Sequence, residues 1–472
     1  MRIDRRALLA SVAAITATPL AARLGAQPQR VLRPEDFGAR GDGTANDTRA
    51  FSRLSAEINR RGGGTVALRA GRTYIVGAQS RDGGPYAWNP APILDFENLT
   101  RPLVIEGNGA KLRCQAGLKY GAFDPQSGAP VDLPPPRKDK TKVATPYHAM
   151  IRVRACSGSV TIHDVELDGN VDQLVIGGKY NRGGWQIPAS GIDLANNRGA
   201  ETIENVYSHH HALDGAHMRA APSRVGRTRV IRLVCRNNGR QGVSLVGGRG
   251  YDFADCEFSH TGRAKIRSSP GAGVDIEAEG PGTVIRDVTF ARCKFLDNAG
   301  PGLAAAAGNS ADVRFSECLF VGTTSWSAWP RKPGYAFLRC TFVGPVVHAW
   351  ADADPARATG FIGCRFTDDP ALSPKGVFAG GGSGTIAQFR NAQNILFDGC
   401  TFNLVGAATL PLTQDAIYKD CRMSQRSTRP GRPIGRYLGT TTIIGAVNIT
   451  GSIVEGSLIV NGRRLPRGVV TG

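Results

Sequence analysis

The side chains best suited to chemistry stand at Asp193, His217, Arg219, Asp275 and Glu277, each two or four positions after a glycine. The segments read Gly191-Ile192-Asp193-Leu194-Ala195, Gly215-Ala216-His217-Met218-Arg219, Gly242-Val243-Ser244-Leu245-Val246, Gly273-Val274-Asp275-Ile276-Glu277 and Gly302-Leu303-Ala304-Ala305-Ala306. Their in-out alternation is the period-two signature of a strand with one buried face. Successive glycines lie 24, 27, 31 and 29 residues apart, a quasi-regular repeat of the kind that builds solenoids. Stacking the copies predicts one outward column of Asp193, His217, Ser244, Asp275 and Ala304. The neighbouring column is then Ala195, Arg219, Val246, Glu277 and Ala306.

Asp275 and Glu277 are predicted to sit about 6.7 Å apart at Cα on one strand. That separation suits inverting glycoside hydrolysis, in which one carboxyl protonates the leaving oxygen and the other activates water. Mutual repulsion would split their pKa values, as acid and base roles require. His217 and Arg219, two rungs away at about 10 Å, are expected to contact a sugar carboxylate or the leaving group, or to supply the base of a lyase. Asp193, at about 14 Å, is too far to share a proton with Asp275 and is assigned to an adjacent sugar subsite. Asp214, Arg240 and Gln241, from the preceding turns, are expected to orient these groups. Tyr180 and Trp185 form one aromatic wall, and Trp326 with Trp329 the other. A solvated sheet face also carries charges; convergence across several rungs is what favours a site.

The elements that must position these groups follow from composition. In 472 residues, 41% are hydrophobic and 60 are Gly, with no collagen-like triplet, which fits an all-β chain with many turns. The net charge of +19 comes from 58 scattered basic residues. It favours anionic partners such as an acidic polysaccharide; without a recognisable nucleic-acid module or basic stripe, nucleic acid ranks low. Arg5-Arg6, the apolar run Ala7 to Leu20 and the small residues Ala21, Ala22, Gly25 and Ala26 read as a twin-arginine-type signal over residues 1–26. Its apolar run is too short to span a bilayer. The expected location is periplasmic or secreted, with no transmembrane segment.

Most of the ten cysteines fall in the phrase Cys-x-Phe, at Cys256, Cys293, Cys318, Cys340, Cys364 and Cys400. They are expected to be small buried hydrophobes in a reduced ladder, and without Cys-x-x-Cys zinc has little support. His209-His210-His211 is read as a hydrogen-bonded corner, because adjacent residues in an extended chain point different ways. One body is expected over residues 31–472, with a cap and first coil at 34–75, regular coils at 151–422 and closing coils or a C-terminal cap at 437–472. The insertions Gln79 to Asn98 and Ala116 to Tyr147 are taken as functional walls, and Arg426 to Arg436 as a linker.

The opening phrase Asp36-Phe37-Gly38-Ala39-Arg40-Gly41-Asp42-Gly43-Thr44 leads into an amphipathic helix with Phe51, Leu54 and Ile58 on one face, then Gly62-Gly63-Gly64-Thr65-Val66. This stretch, to Tyr74, resembles the start of the pectate-lyase-like right-handed parallel β-helix superfamily, in its rhamnogalacturonase and epimerase-like branch. The resemblance implies a single-stranded right-handed parallel β-helix with an N-terminal capping helix. It also implies a polysaccharide, commonly a uronic-acid polymer, bound along a groove on one sheet. The chain departs from the polygalacturonase pattern: it lacks Asn-Thr-Asp, Gly-His-Gly and an Asp-Asp pair in the strand column, the nearest being Asp368-Asp369. The clustered acidic ligands of a calcium-dependent pectate lyase are not evident either. The expected activity is exported hydrolysis of an acidic polysaccharide; alternatives are a lyase, a non-catalytic carbohydrate-binding β-helix and, more weakly, a C5 epimerase. No cofactor is expected, with calcium entering only in the lyase reading.

Overall fold

Alternating apolar residues along each coil point to a common interior, and the coils stack with their strands parallel. The computed structural model describes residues 31–134, 140–373, 375–378, 384–389 and 391–471, so the expected signal segment, 1–26, lies outside the described residues. Parallel registers run through the stack, from Val160–Asp168 against Glu201–His209 to Thr401–Leu404 against Arg422–Gln425. The described residues hold one α-helix, Thr48–Arg61.

Two aromatic columns fill the interior of the later coils. Phe253, Phe290, Phe315, Phe337, Phe361 and Phe397 stack at centroid spacings of 4.6, 4.9, 4.8, 5.1 and 5.1 Å, and Tyr418 and Tyr437 extend the column. Phe258, Phe295, Phe320, Phe342, Phe366 and Phe402 form the second. The spacing is that of neighbouring strands, so each coil contributes one ring per column. Beside the second column stand Cys256, Cys293, Cys318, Cys340, Cys364, Cys400 and Cys421, all buried free thiols. Their sulfurs bond to backbone carbonyls, as in Cys364 Sγ to Phe337 O at 3.4 Å. Cys235 instead occupies the phenylalanine column, opposite Phe258.

Corners recur at left-handed residues. Asp164, Asn205, Arg232, Asp255, Arg292, Glu317 and Arg339 hold φ between 51° and 58°, a region costly for long side chains. The arginines offset that cost by pairing with an acid of the preceding coil: Arg232 with Glu204, Arg292 with Asp255 and Arg339 with Glu317. Part of the scattered basic charge therefore laces one corner. At a second corner, Asn238 and Asn298 bond the backbone of the preceding coil, accepting from the His211 and Thr261 N–H groups and donating to the Ser208 and Phe258 carbonyls.

The helix buries Phe51, Leu54 and Ile58 and satisfies the outer edge of the strand Leu94–Glu97. Ser55 Oγ accepts from the Asp95 N–H, and Asn59 bonds both the Asp95 carbonyl and the Glu97 N–H; that strand's other edge pairs with Ala149–Arg154. Asp47 precedes the helix, but its carboxylate accepts from the Arg40 and Gly41 N–H groups. The expected linker Arg426 to Arg436 is partly strand: Arg432–Leu438 pairs with Leu412–Lys419. Pro433 lies beside the register irregularity there, where a missing N–H is tolerated.

Candidate active site

The glycine-led strands place one residue per rung on a common outward line. Register gives its order as Asp95, Arg152, Asp193, His217, Ser244, Asp275, Ala304 and Trp329. The expected column is therefore the middle of a longer one. Asp95 and Arg152 were not expected in it because their strands lack the leading glycine, although Leu94-Asp95-Phe96-Glu97 and Ile151-Arg152-Val153-Arg154 show the same alternation; Trp329, expected in an aromatic wall, stands on the rung after Ala304.

At the centre, Asp214 and Gln241 begin adjacent strands in register. Asp214 is fully buried and held by Arg240, whose Nε donates to Oδ1 at 2.8 Å and whose Nη2 donates to Oδ2. Ser244 Oγ donates to Asp214 Oδ2 at 2.9 Å. One rung on, Gln241 Nε2 donates to Asp275 Oδ2, while Gln241 Oε1 has no hydrogen-bond partner among the described residues. Asp275 is 8% exposed. Burial, with the Glu277 carboxylate nearby, pushes its pKa up to about 7 against the pull of Arg240, so near neutrality it is available as a proton donor.

Upstream, Asp193 Oδ1 accepts from His217 Nδ1 at 3.0 Å, and Arg152 Nε stands 3.4 Å from Asp193 Oδ2. Burial disfavours the His217 cation, but the bonded Asp193 carboxylate outweighs it and lifts the pKa above the usual imidazole value. Burial likewise opposes the Asp193 anion, and His217 with Arg152 and Arg154 reverses it, so that pKa falls. Each partner thus favours the charged form of the other.

The neighbouring column departs from expectation. Past Met218 the register shifts, so Arg219 faces Gly247 and not Val246, whose side chain is buried. Arg219 turns to Glu279, donating to its carbonyl at 3.2 Å with its carboxylate 3.7 Å away. Glu277 lies just beyond the strand Ala272–Ile276, half-buried, its N–H bonded to the Leu245 carbonyl. A bulge adds one residue to a strand without changing the alternation read from sequence, which is why the column slipped.

Of the aromatic residues, Trp185 and Tyr180 are half-buried against the core, and Trp185 Nε1 donates to the Gly177 carbonyl at 2.9 Å. The insertion expected as a wall supplies Tyr86, whose ring lies 5.6 Å from that of His148 and which feels the charge of Arg152. At the other end Trp326 meets Trp329 edge-on at 5.0 Å, with His348 5.5 Å from Trp329. His211 points inward, its Nδ1 2.9 Å from Tyr147 Oη.

Residues 149–342, which hold most of these rungs, match the family model described as a right handed beta helix region. The fold of these residues is that of a right-handed β-helix. Three solved β-helices illustrate the range of the likeness. The A-module of a mannuronan C-5 epimerase from Azotobacter vinelandii is 17% identical, with 94% of this chain and 100% of that one covered and a TM-score of 0.45. An exopolygalacturonase from Thermotoga maritima is 14% identical over 95% and 96%, with a TM-score of 0.34. Pre-mature gene product 12 of bacteriophage phi29 is 11% identical over 93% and 58%, with a TM-score of 0.50. At these identities the likeness is one of fold. No curated protein matches the sequence. No helix among the described residues is long and apolar enough to cross a membrane.

Proposed function

We propose that this β-helix is an exported carbohydrate-active enzyme that cleaves glycosidic bonds of an acidic polysaccharide by carboxylate acid-base hydrolysis. The observation that carries the reading is the buried Asp275 carboxyl, protonated near neutrality and aligned with His217 and Asp193 on one open sheet face. In this reading Asp275 protonates the leaving oxygen and Glu277 activates water. Arg152, His217 and Arg219 meet the substrate's carboxylates, and Asp214, Arg240 and Gln241 hold the acid in place. Asp193 lines the adjacent subsite, with the Trp326 and Trp329 pair at the far end. Residues 1–26 are proposed as the export signal and the helix Thr48–Arg61 as the N-terminal cap.

A second reading, a lyase with His217 as base, draws on the Asp193 bond that fixes the imidazole. That bond favours the imidazolium, whereas a base must be neutral, so it works against this role. The two readings separate in one experiment. Uronic-acid and neutral polysaccharides are incubated with wild type and with Asp275→Asn, following reducing ends and near-ultraviolet absorbance together. Hydrolysis gives reducing ends without absorbance and is lost in Asp275→Asn; an absorbing unsaturated product would sink the hydrolase.

A further inference from the structure

We infer that Asp168, His209 and His210 form a binding site for a divalent transition ion of the zinc or copper(II) type, on the corner that leads into the strand Asp214–Ala220. His211 turns inward, but His209 and His210 do not diverge as extended chain would require. His210 is left-handed, with φ 53°, and the turn folds its ring back on its neighbour, so that His209 Nδ1 and His210 Nδ1 lie 2.7 Å apart. Asp168 and His209 are register partners on adjacent coils, which brings Asp168 Oδ1 to 3.9 Å from His209 Nδ1. One ligand atom from each of the three residues lies within 4.8 Å of the other two.

The surrounding contacts favour coordination in three ways. His209 Nε2 is 3.0 Å from Glu166 Oε1; since a carboxylate only accepts, Nε2 carries the hydrogen and Nδ1 presents its lone pair. A ligating histidine ordinarily gives its other N–H to a carboxylate in this manner. Lys111 anchors Glu166 at 2.8 Å, and Tyr207 stacks on the His209 ring at 4.1 Å, fixing its plane. His210 Nε2 is 3.2 Å from Asn237 Nδ2. Without an ion, the Asn237 amide donates there and His210 Nδ1–H donates to His209. With an ion, the His210 proton resides on Nε2, Asn237 turns its Oδ1 toward it, and both Nδ1 lone pairs face the metal; the imidazole stays neutral and no proton leaves. Two nitrogens on a tetrahedral ion stand about 3.3 Å apart, so the pair opens by about 0.6 Å. Two imidazoles and a carboxylate match the borderline ions and not calcium, which takes oxygen ligands.

The test uses the untagged chain, stripped with chelator and titrated with zinc chloride by calorimetry, and with copper(II) for electron paramagnetic resonance. One equivalent of zinc binds, and the copper spectrum shows coupling to two nitrogens. His210→Asn, which keeps a residue tolerant of the left-handed corner, and Asp168→Asn each weaken binding at least about tenfold, on the scale of lost metal-site partners. His163→Ala, at a histidine of the same coil that lies before the Asp164 corner and pairs with Asp164, leaves binding unchanged. Circular dichroism confirms that each variant is folded. No zinc uptake by folded wild type, binding equally strong in folded His210→Asn, or coupling to a single nitrogen would overturn the site.

Discussion

Gln241 and Asp275 face each other from adjacent strands, the amide nitrogen of one on a carboxyl oxygen of the other, while the amide oxygen is left without a partner. The donated bond favours the charged form of Asp275 against burial, which favours the neutral one. Gln241→Leu keeps the volume and removes the donor, so the Asp275 pKa rises further. The alkaline limb of the pH–rate profile is expected to move upward by about half to one pH unit, given the worth of one hydrogen bond. An unmoved limb would show that another group sets it.

Burial of Asp275 also makes folding depend on pH. Its folded pKa, about 7, lies above the unfolded value, so the stability it contributes is full below about pH 4. That contribution is lost as pH rises to about 7 and changes no further above it. The swing amounts to about 4 kcal/mol. Asp275→Asn removes the dependence, and the variant should melt above wild type at pH 8 and gain less at pH 4, a comparison made by thermal scans at the two values.

The Asp193–His217 bond raises the imidazole pKa. In Asp193→Asn the carboxylate that raises the pKa is gone, while burial and Arg240 still lower it against Asp214, so the His217 pKa falls. Titration of the His217 ring protons by NMR measures the shift, and an upward movement would contradict the pairing.

Asp214 and Arg240 form a buried ion pair, with side-chain exposures of 0% and 15%. Asp214→Ala strands the guanidinium and is expected to cost about 3 to 5 kcal/mol. Adding Arg240→Met should recover most of that loss, because the charge without a partner is then removed. Chemical denaturation of both variants checks the ordering; equal destabilisation would mean that packing, not charge, dominates.

The coil repeat and the buried thiols of the Cys-x-Phe ladder were legible, because each depends on a two-residue alternation or on one recurring side chain. The slip from Val246 to Gly247 was not, since a bulge is set by three-dimensional stacking. Five of the eight rungs were legible from their leading glycines, whereas Asp95 and Arg152 share the alternation alone. At His209 and His210 the hydrogen-bonded corner was legible, but the convergence of the two rings was not. The argument from extended geometry fails at a residue whose φ has changed sign, and nothing in the letters His-His-His announces where the chain turns.

The column of seven thiols has a consequence for how the chain must be made. Each new coil lays its sulfur about one strand spacing above the last, close enough for neighbours to cross-link if an oxidant arrives before the backbone closes over them. A partly wound molecule is thus most vulnerable at its growing end, and every premature bridge would jam the next turn. Winding of this chain belongs where thiols stay reduced, with any passage into an oxidising space coming after the last coil has shut.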